Sequence, residues 1–110
     1  MEIGINDSGE VKVISFKGNL YTNTTPDAET ELNKLIYSGV TKIVINWEEL
    51  NYMSSAGLRV LLSTTKNTKS KGGSCQICCL NDMVQEVFDI SGFSLIFSVY
   101  KTKEEAVNAF

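Results

Sequence analysis

Two adjacent serines, Ser54 and Ser55, lie where the sequence changes from a strand-like to a helix-like pattern. Before them, residues 41–47 form a β-branched run typical of a buried strand. After them, side chains that suit one buried helix face recur at Leu58, Leu61, Leu62 and Thr65. A serine at a helix start can accept a hydrogen bond from a free backbone N–H group. The same place favours an anion, because the free N–H groups and the helix dipole both point towards it. The residues alone leave both interpretations open.

Several catalytic arrangements are excluded by missing residues. The chain contains no histidine, so it cannot form a Ser-His-Asp triad, and a serine hydrolase is not expected. The sequence around the serines, Met53-Ser54-Ser55-Ala56-Gly57, also lacks the G-x-S-x-G pattern of a nucleophile elbow. Neither glycine-rich phosphate-binding pattern, G-x-x-x-x-G-K-[ST] or G-x-G-x-x-G, is present. These absences argue against a serine hydrolase and against both kinds of nucleotide-binding loop, and we expect no catalytic residues, no cofactor and no small-molecule substrate.

The chain has one C-x-x-C pattern, formed by Cys75 and Cys78, with Cys79 beside it. A redox pair of this type normally opens a helix. Here it falls within a predicted strand, where the two-residue period sends Cys75 and Cys78 to opposite faces. Three cysteines without a histidine also make a poor zinc site. We expect the three cysteines to be reduced and non-catalytic, and we expect no metal.

The predicted elements follow the order strand, strand, helix, and then strand and helix in alternation. Strands are predicted over 2–7, 10–17, 41–47, 74–80 and 95–100, and the second is expected to end at Gly18 and Asn19. Helices are predicted from Thr25-Pro26-Asp27 to Gly39, over 56–70, after a cap at Asn81 or Asp82 with Met83, Val84, Val87 and Phe88 inward, and from Thr102. This order predicts an α/β domain with a mixed sheet of four or five strands and about four helices.

Length and composition narrow the class of protein. The 110 residues suit one domain, expected over 1–110, and 43% are hydrophobic, enough to bury a core. The net charge of −3 and the lack of a basic patch argue against nucleic-acid binding. No signal peptide is evident, and no apolar run approaches the roughly 18 residues of a membrane span. The odd number of cysteines, 3, argues against a secreted disulfide framework, so we expect a cytoplasmic protein.

The segment 51–62 resembles the signature of the STAS domain, as found in bacterial anti-sigma factor antagonists. In that family an aspartate and a serine are followed by a small residue and Gly-Leu. The matching positions here are Ser55 for the phosphorylatable serine, Ala56 for the small residue, and Gly57-Leu58 for the final pair. The order of elements resembles the STAS fold over essentially the whole chain.

Two positions depart from the family pattern. The aspartate before the phosphorylated serine is Ser54 here, which makes Ser54 a competing phosphorylation site. The segment Gly18-Asn19-Leu20 resembles the family's Gly-Glu-Leu-Asp turn, but the aspartate is replaced by Tyr21. In the family these acids lie near the phosphorylation site and the kinase-facing surface, so the changes concern recognition of the partner and not the fold.

The resemblance implies a switch based on partner exchange. The unphosphorylated protein would bind an anti-sigma factor that is also a serine kinase, and so release a sigma factor. Phosphorylation of Ser55 would block that binding, and a separate phosphatase would reverse it. The implied partner surface comprises Ser54, Ser55, Ala56, Gly57, Arg59 and Tyr21, with Gly57 giving the partner close access to the backbone.

Two other interpretations remain. In the first, the chain is a STAS interaction or scaffold module without a phosphoswitch, and the serines only cap a helix. In the second, it is a small α/β enzyme or a thiol redox protein, which the missing histidine and the strand position of the cysteines argue against.

Overall fold

The computed structural model describes residues 2–20, 25–53, 55–95 and 97–110. Within these ranges the strands are β1 (Glu2–Ser8), β2 (Val11–Leu20), β3 (Lys42–Asn46), β4 (Leu50–Met53), β5 (Ser74–Cys78) and β6 (Val99–Tyr100). The helices are α1 (Thr25–Tyr37), α2 (Ser55–Ser70), α3 (Asp82–Ser91) and α4 (Lys103–Asn108), with a 3₁₀ turn at Phe93–Leu95.

The sheet is mixed. Its order is β1-β2-β3-β5-β6, and β4 pairs separately with the far end of β2. β1 and β2 form an antiparallel hairpin, whereas the β2–β3, β3–β5 and β5–β6 pairs are parallel. The connections between the parallel strands carry α1, α2 and α3, as parallel neighbours require. The predicted α/β fold with a mixed sheet is confirmed.

Both faces of the sheet are covered. Along β2, Ile14 and Phe16 point into a large core under α1, α2 and α3, while Val11 and Val13 point into a smaller core under α4. α4 contributes its fully buried Ala106 to the smaller core. Burial on both faces explains why β3 reads as a continuous apolar run and not as an alternating one.

Glycines end the two longest helices, and the sequence predicts the first of these ends at Gly39. After α1, Gly39 has φ 99°, its N–H donates to the Ile36 carbonyl at 3.1 Å, and the Val40 N–H donates to the Leu35 carbonyl at 3.1 Å. This is a Schellman arrangement, which needs a residue with positive φ. After α2, Gly72 has φ 81° and the same pattern of bonds.

Three predictions about the strands are corrected. β2 does not end at Gly18 but continues to Leu20 through a shift of register, which Gly18 allows with φ 110°. The structure also has β4 (Leu50–Met53), in a stretch for which no strand is predicted. The last strand is only Val99–Tyr100, because Phe93–Leu95 forms a 3₁₀ turn in which Leu95 is 90% exposed.

The interior face of α3 was predicted in part. Val84 and Phe88 are buried and Val87 is half-buried, but Met83 is 50% exposed, so its inward placement was wrong. Phe88 anchors the helix, with its ring centroid 5.7 Å from that of Trp47 and 6.0 Å from that of Phe97. Asn81, one of the two predicted caps, is the residue that caps α3.

Candidate functional site

The segment that contains Ser54 and Ser55, called the serine segment below, follows β4 in the sequence, and β4 pairs in parallel with the end of β2. The end of β2 pairs with β4, with Gly18 opposite Leu50 and Leu20 opposite Met53. Helix α2 begins at Ser55, two residues after the last residue of β4 and one residue before the predicted start. Of the residues implied in partner binding, Tyr21 and Ser54 lie outside the described residues, while Ser55, Ala56, Gly57 and Arg59 all belong to the first two turns of α2.

The start of β4 is fixed by hydrogen bonds from two directions. The Gly18 N–H donates to the Glu49 carbonyl at 3.1 Å, and the Asn81 amide Nδ2 donates to the Leu50 carbonyl at 2.9 Å. The Asn81 Oδ1 atom in turn accepts from the Val84 N–H at 2.8 Å. Asn81 thus joins the start of α3 to the strand that leads into α2, a role that the sequence prediction missed.

One broad face of α2 is buried. Its buried residues are Leu58, Val60, Leu61, Thr64, Thr65 and Thr68. Thr64 and Thr68 satisfy their hydroxyls by donating to carbonyls one turn earlier, at 2.8 and 2.6 Å. Leu50 and Leu58, on either side of the serine segment, are both buried in the large core. Packing therefore holds both ends of this segment.

Gly57 is also buried. Its backbone is therefore not exposed in the unbound structure, and close approach of a partner to Gly57 stays a prediction. Arg59, by contrast, is exposed, four residues after Ser55 and so on the same side of the helix. The accessible part of the predicted partner surface on α2 thus includes Arg59 and excludes Gly57.

The electrostatics of α2 favour an anion at its start. The helix has no acidic residue in its first turn and carries Arg59, Lys66 and Lys69 with no aspartate or glutamate along its whole length. The helix dipole adds about half a positive charge at the N-terminus. A phosphate at Ser55 would therefore meet a positive field from the helix itself.

The cysteines are arranged as the strand period predicts. Cys75 belongs to the large core and Cys78 to the smaller one, so the two side chains lie on opposite faces of the sheet, and all three cysteines are free. Burial raises the pKa of Cys75 to about 12, and the nearby Thr65 hydroxyl has a smaller, opposite effect on this pKa. The Thr65 hydroxyl is buried and makes no hydrogen bond of ordinary geometry. Burial, and then the neighbouring Cys79, raise the pKa of Cys78. Reactive thiolates are thus disfavoured at both positions.

The described part of the chain offers neither a metal site nor a membrane-spanning helix. Among those residues, no group of three or more histidine, cysteine, aspartate or glutamate side chains is placed to hold a metal ion. In the same ranges, no helix combines the length and the apolar character needed to cross a bilayer.

The sequence of this chain is similar to a known domain family and to a known protein. The model of the STAS domain family matches residues 2–106. BtrV of Bordetella bronchiseptica, named as a candidate anti-sigma factor antagonist, is 33% identical over 110 residues, covering 100% of this chain and 95% of BtrV.

Two solved proteins share the fold. A crystal structure of a candidate anti-sigma factor antagonist from Thermotoga maritima superposes with a TM-score of 0.92 at 18% identity, covering 97% of this chain and 92% of that one. The anti-sigma factor antagonist SpoIIAA of Bacillus in its phosphorylated form gives a TM-score of 0.77 at 23% identity, covering 98% of each chain. Its unphosphorylated form gives 0.76 at 21% identity, covering 98% and 96%. The family match over nearly the whole sequence, together with the 33% identity to BtrV, shows that the chain belongs to the STAS domain family, and the solved structures share its fold.

Proposed function

We propose that this chain is an anti-sigma factor antagonist whose affinity for its anti-sigma factor is controlled by phosphorylation of Ser55. The observation that carries the proposal is the position of Ser55 as the first residue of α2, separated from the end of β4 by one residue. The relatives support the choice of partner, because they are named as antagonists of anti-sigma factors. In the cytoplasm, the unphosphorylated chain would bind an anti-sigma factor that is also a serine kinase. This binding would release the sigma factor from the anti-sigma factor.

The surroundings of Ser55 suit a phosphate that leaves the fold intact. A phosphate adds about −1.5 to −2 charge at pH 7. The dipole of α2, the lack of acids on that helix and the exposed Arg59 all stabilise negative charge near Ser55.

The switch would therefore act on the interface. A phosphate in a protein–protein interface must be desolvated and can repel acidic groups or clash with apolar groups of the partner. In our proposal the partner covers the start of α2, including Ser55, Ala56 and Arg59, together with Ser54 and Tyr21. A cognate phosphatase restores binding. The chain is then a substrate and a ligand with no catalytic residues or cofactor of its own.

The proposal is tested by locating the phosphate. The purified chain is incubated with ATP and an anti-sigma kinase encoded beside it, and tandem mass spectrometry maps the product. We expect one phosphate, on Ser55, and no modification of the Ser55→Ala variant. The Ser54→Ala variant serves as the matched control and should still be phosphorylated. A phosphate on neither serine would favour the plain STAS interaction module.

A further inference from the structure

Helix α3 and the 3₁₀ turn after it expose three large apolar side chains. Met83 is 50% exposed, Ile90 is 79% exposed and Leu95 is 90% exposed. They lie within thirteen consecutive residues, 83–95, of a domain whose other helices turn most of their large apolar side chains inward. Single exposed apolar residues are ordinary, whereas a group on one element often marks an interaction surface.

The helical period places two of the three exposed residues, Met83 and Ile90, on a common line along α3. Met83 and Ile90 are seven residues apart and so lie within about 20° of each other around α3, at roughly 100° per residue. The core-facing residues Val84 and Phe88 lie about 100° or more away, and the half-buried Val87 lies between the two groups. The apolar arc of α3 is therefore wider than the part that this domain covers.

The remaining surface of α3 is acidic. Asp82, Glu86 and Asp89 are exposed, and the helix contains no lysine or arginine. None of the three takes part in an ion pair within the described ranges, although Asp89 accepts a hydrogen bond from the Gln85 amide at 3.1 Å. By the same helical period, Glu86 lies directly beside the line of Met83 and Ile90.

We propose that the α3 surface, defined by Met83, Glu86, Ile90 and Leu95, docks a basic amphipathic helix of a partner protein. The apolar face of such a helix would cover the exposed line, and its lysines or arginines would lie over the acids. A second copy of this chain fits less well. Its one acid-free helix, α2, carries suitable cations, but the apolar side chains of α2 are largely used by its own core. This docking does not depend on phosphorylation of Ser55.

The test uses a synthetic helical peptide of about five turns, or roughly 18 residues, with leucines on one face and lysines on the other. Binding to the full chain is measured by calorimetry, and the contact is mapped by NMR amide shifts. We expect micromolar binding with shifts concentrated in residues 82–95. The Ile90→Ser variant should bind the peptide at least about tenfold more weakly, because the peptide would no longer bury an isoleucine side chain at this position.

Matched variants separate the α3 surface from general effects. Tyr37→Ser removes a side chain of α1 that is 78% exposed, nearly as much as Ile90, and should leave binding unchanged. Glu86→Lys should weaken binding, whereas Glu29→Lys, the same charge change at an exposed position of α1, should have much less effect. Ser55→Asp should bind the peptide as the parent does, which separates this proposal from the phosphoswitch.

Three results would overturn the proposal. The first is a peptide with glutamates in place of the lysines that binds equally well. The second is a set of NMR shifts that lies away from residues 82–95. The third is a concentration-dependent dimer in sedimentation that Ile90→Ser abolishes, which would make the α3 surface a self-interface.

Discussion

The Ser55→Asp variant is expected to bind the anti-sigma factor at least about 30-fold more weakly than the parent, while Ser55→Ala keeps parental affinity. An unpaired charge buried in an interface costs about 2–5 kcal/mol, and each 1.4 kcal/mol is a factor of about ten in the dissociation constant. Aspartate introduces that charge at the first residue of α2, whereas alanine introduces none. Isothermal calorimetry with the isolated partner measures both values.

The thermal stability of both variants is measured alongside binding, as a control for folding. An acidic side chain in the first turn of a helix is stabilised by the dipole by about 0.3–1 kcal/mol, and loss of a serine cap costs about 1 kcal/mol. Both variants should therefore unfold within a few degrees of the parent. A loss of binding by Ser55→Asp at unchanged thermal stability reports the interface. Equal binding by all three proteins would remove Ser55 from the interface altogether.

Replacement of Gly73 by alanine is expected to lower the free energy of unfolding by about 3 kcal/mol. A Cβ atom at this position would lie 2.0 Å from the Thr41 carbonyl oxygen and 2.7 Å from the Thr41 carbonyl carbon. The Thr41 oxygen cannot move away cheaply, because it accepts the Ser74 N–H at 2.8 Å where β3 and β5 begin to pair. Urea unfolding of Gly73→Ala against the parent measures the loss.

Alanine substitutions at two other glycines, Gly4 and Gly72, show how much of the expected loss at Gly73 comes from crowding. A Cβ at Gly4 would meet nothing within 4 Å and Gly4 has no positive φ, so Gly4→Ala should be nearly neutral. Gly72 has φ 81° but equally open space, so Gly72→Ala should cost only the strain of the left-handed conformation, about 1–2 kcal/mol. The same loss at Gly72 and Gly73 would show that crowding against Thr41 is unimportant.

Elements with a strong local pattern were predicted correctly. Residues 11–16 lie within the strand predicted over 10–17, and the structure places Val13 and Ile14 in different cores, as the two-residue period of a strand requires. Gly39 and Gly72 end their helices because only a residue with positive φ suits those positions. The Thr102 side chain accepts from the Glu105 N–H at 3.2 Å, as the capping-box spacing predicts.

Elements that depend on distant contacts were missed. β4 has only four residues, and it pairs with the part of β2 that follows the bulge at Gly18, which no local pattern indicates. Leu95 looked like the start of a strand, but the chain there folds into a 3₁₀ turn that brings Phe93 and Phe97 together, with ring centroids 5.6 Å apart. Tertiary packing overrides β propensity at this point.

The candidate site likewise combines features that a local sequence pattern predicts with features that depend on distant contacts. The start of α2 at Ser55 followed from the change between a strand pattern and a helix pattern, with an error of one residue. The bond from Asn81 to the Leu50 carbonyl spans 31 positions and could not be read from either segment alone. The burial of Gly57 likewise depends on the packing of α2 into the core and not on its motif.

The central claim is that a phosphate at the start of α2 prevents binding of the anti-sigma factor. The most direct test compares the dissociation constants of the phosphorylated and unphosphorylated chain for the same partner, after the phosphate has been mapped to Ser55. We expect the phosphorylated chain to bind at least as weakly as Ser55→Asp, and phosphatase treatment to restore the original affinity. Equal affinity of the two forms would contradict the switch and leave the chain as a STAS interaction module.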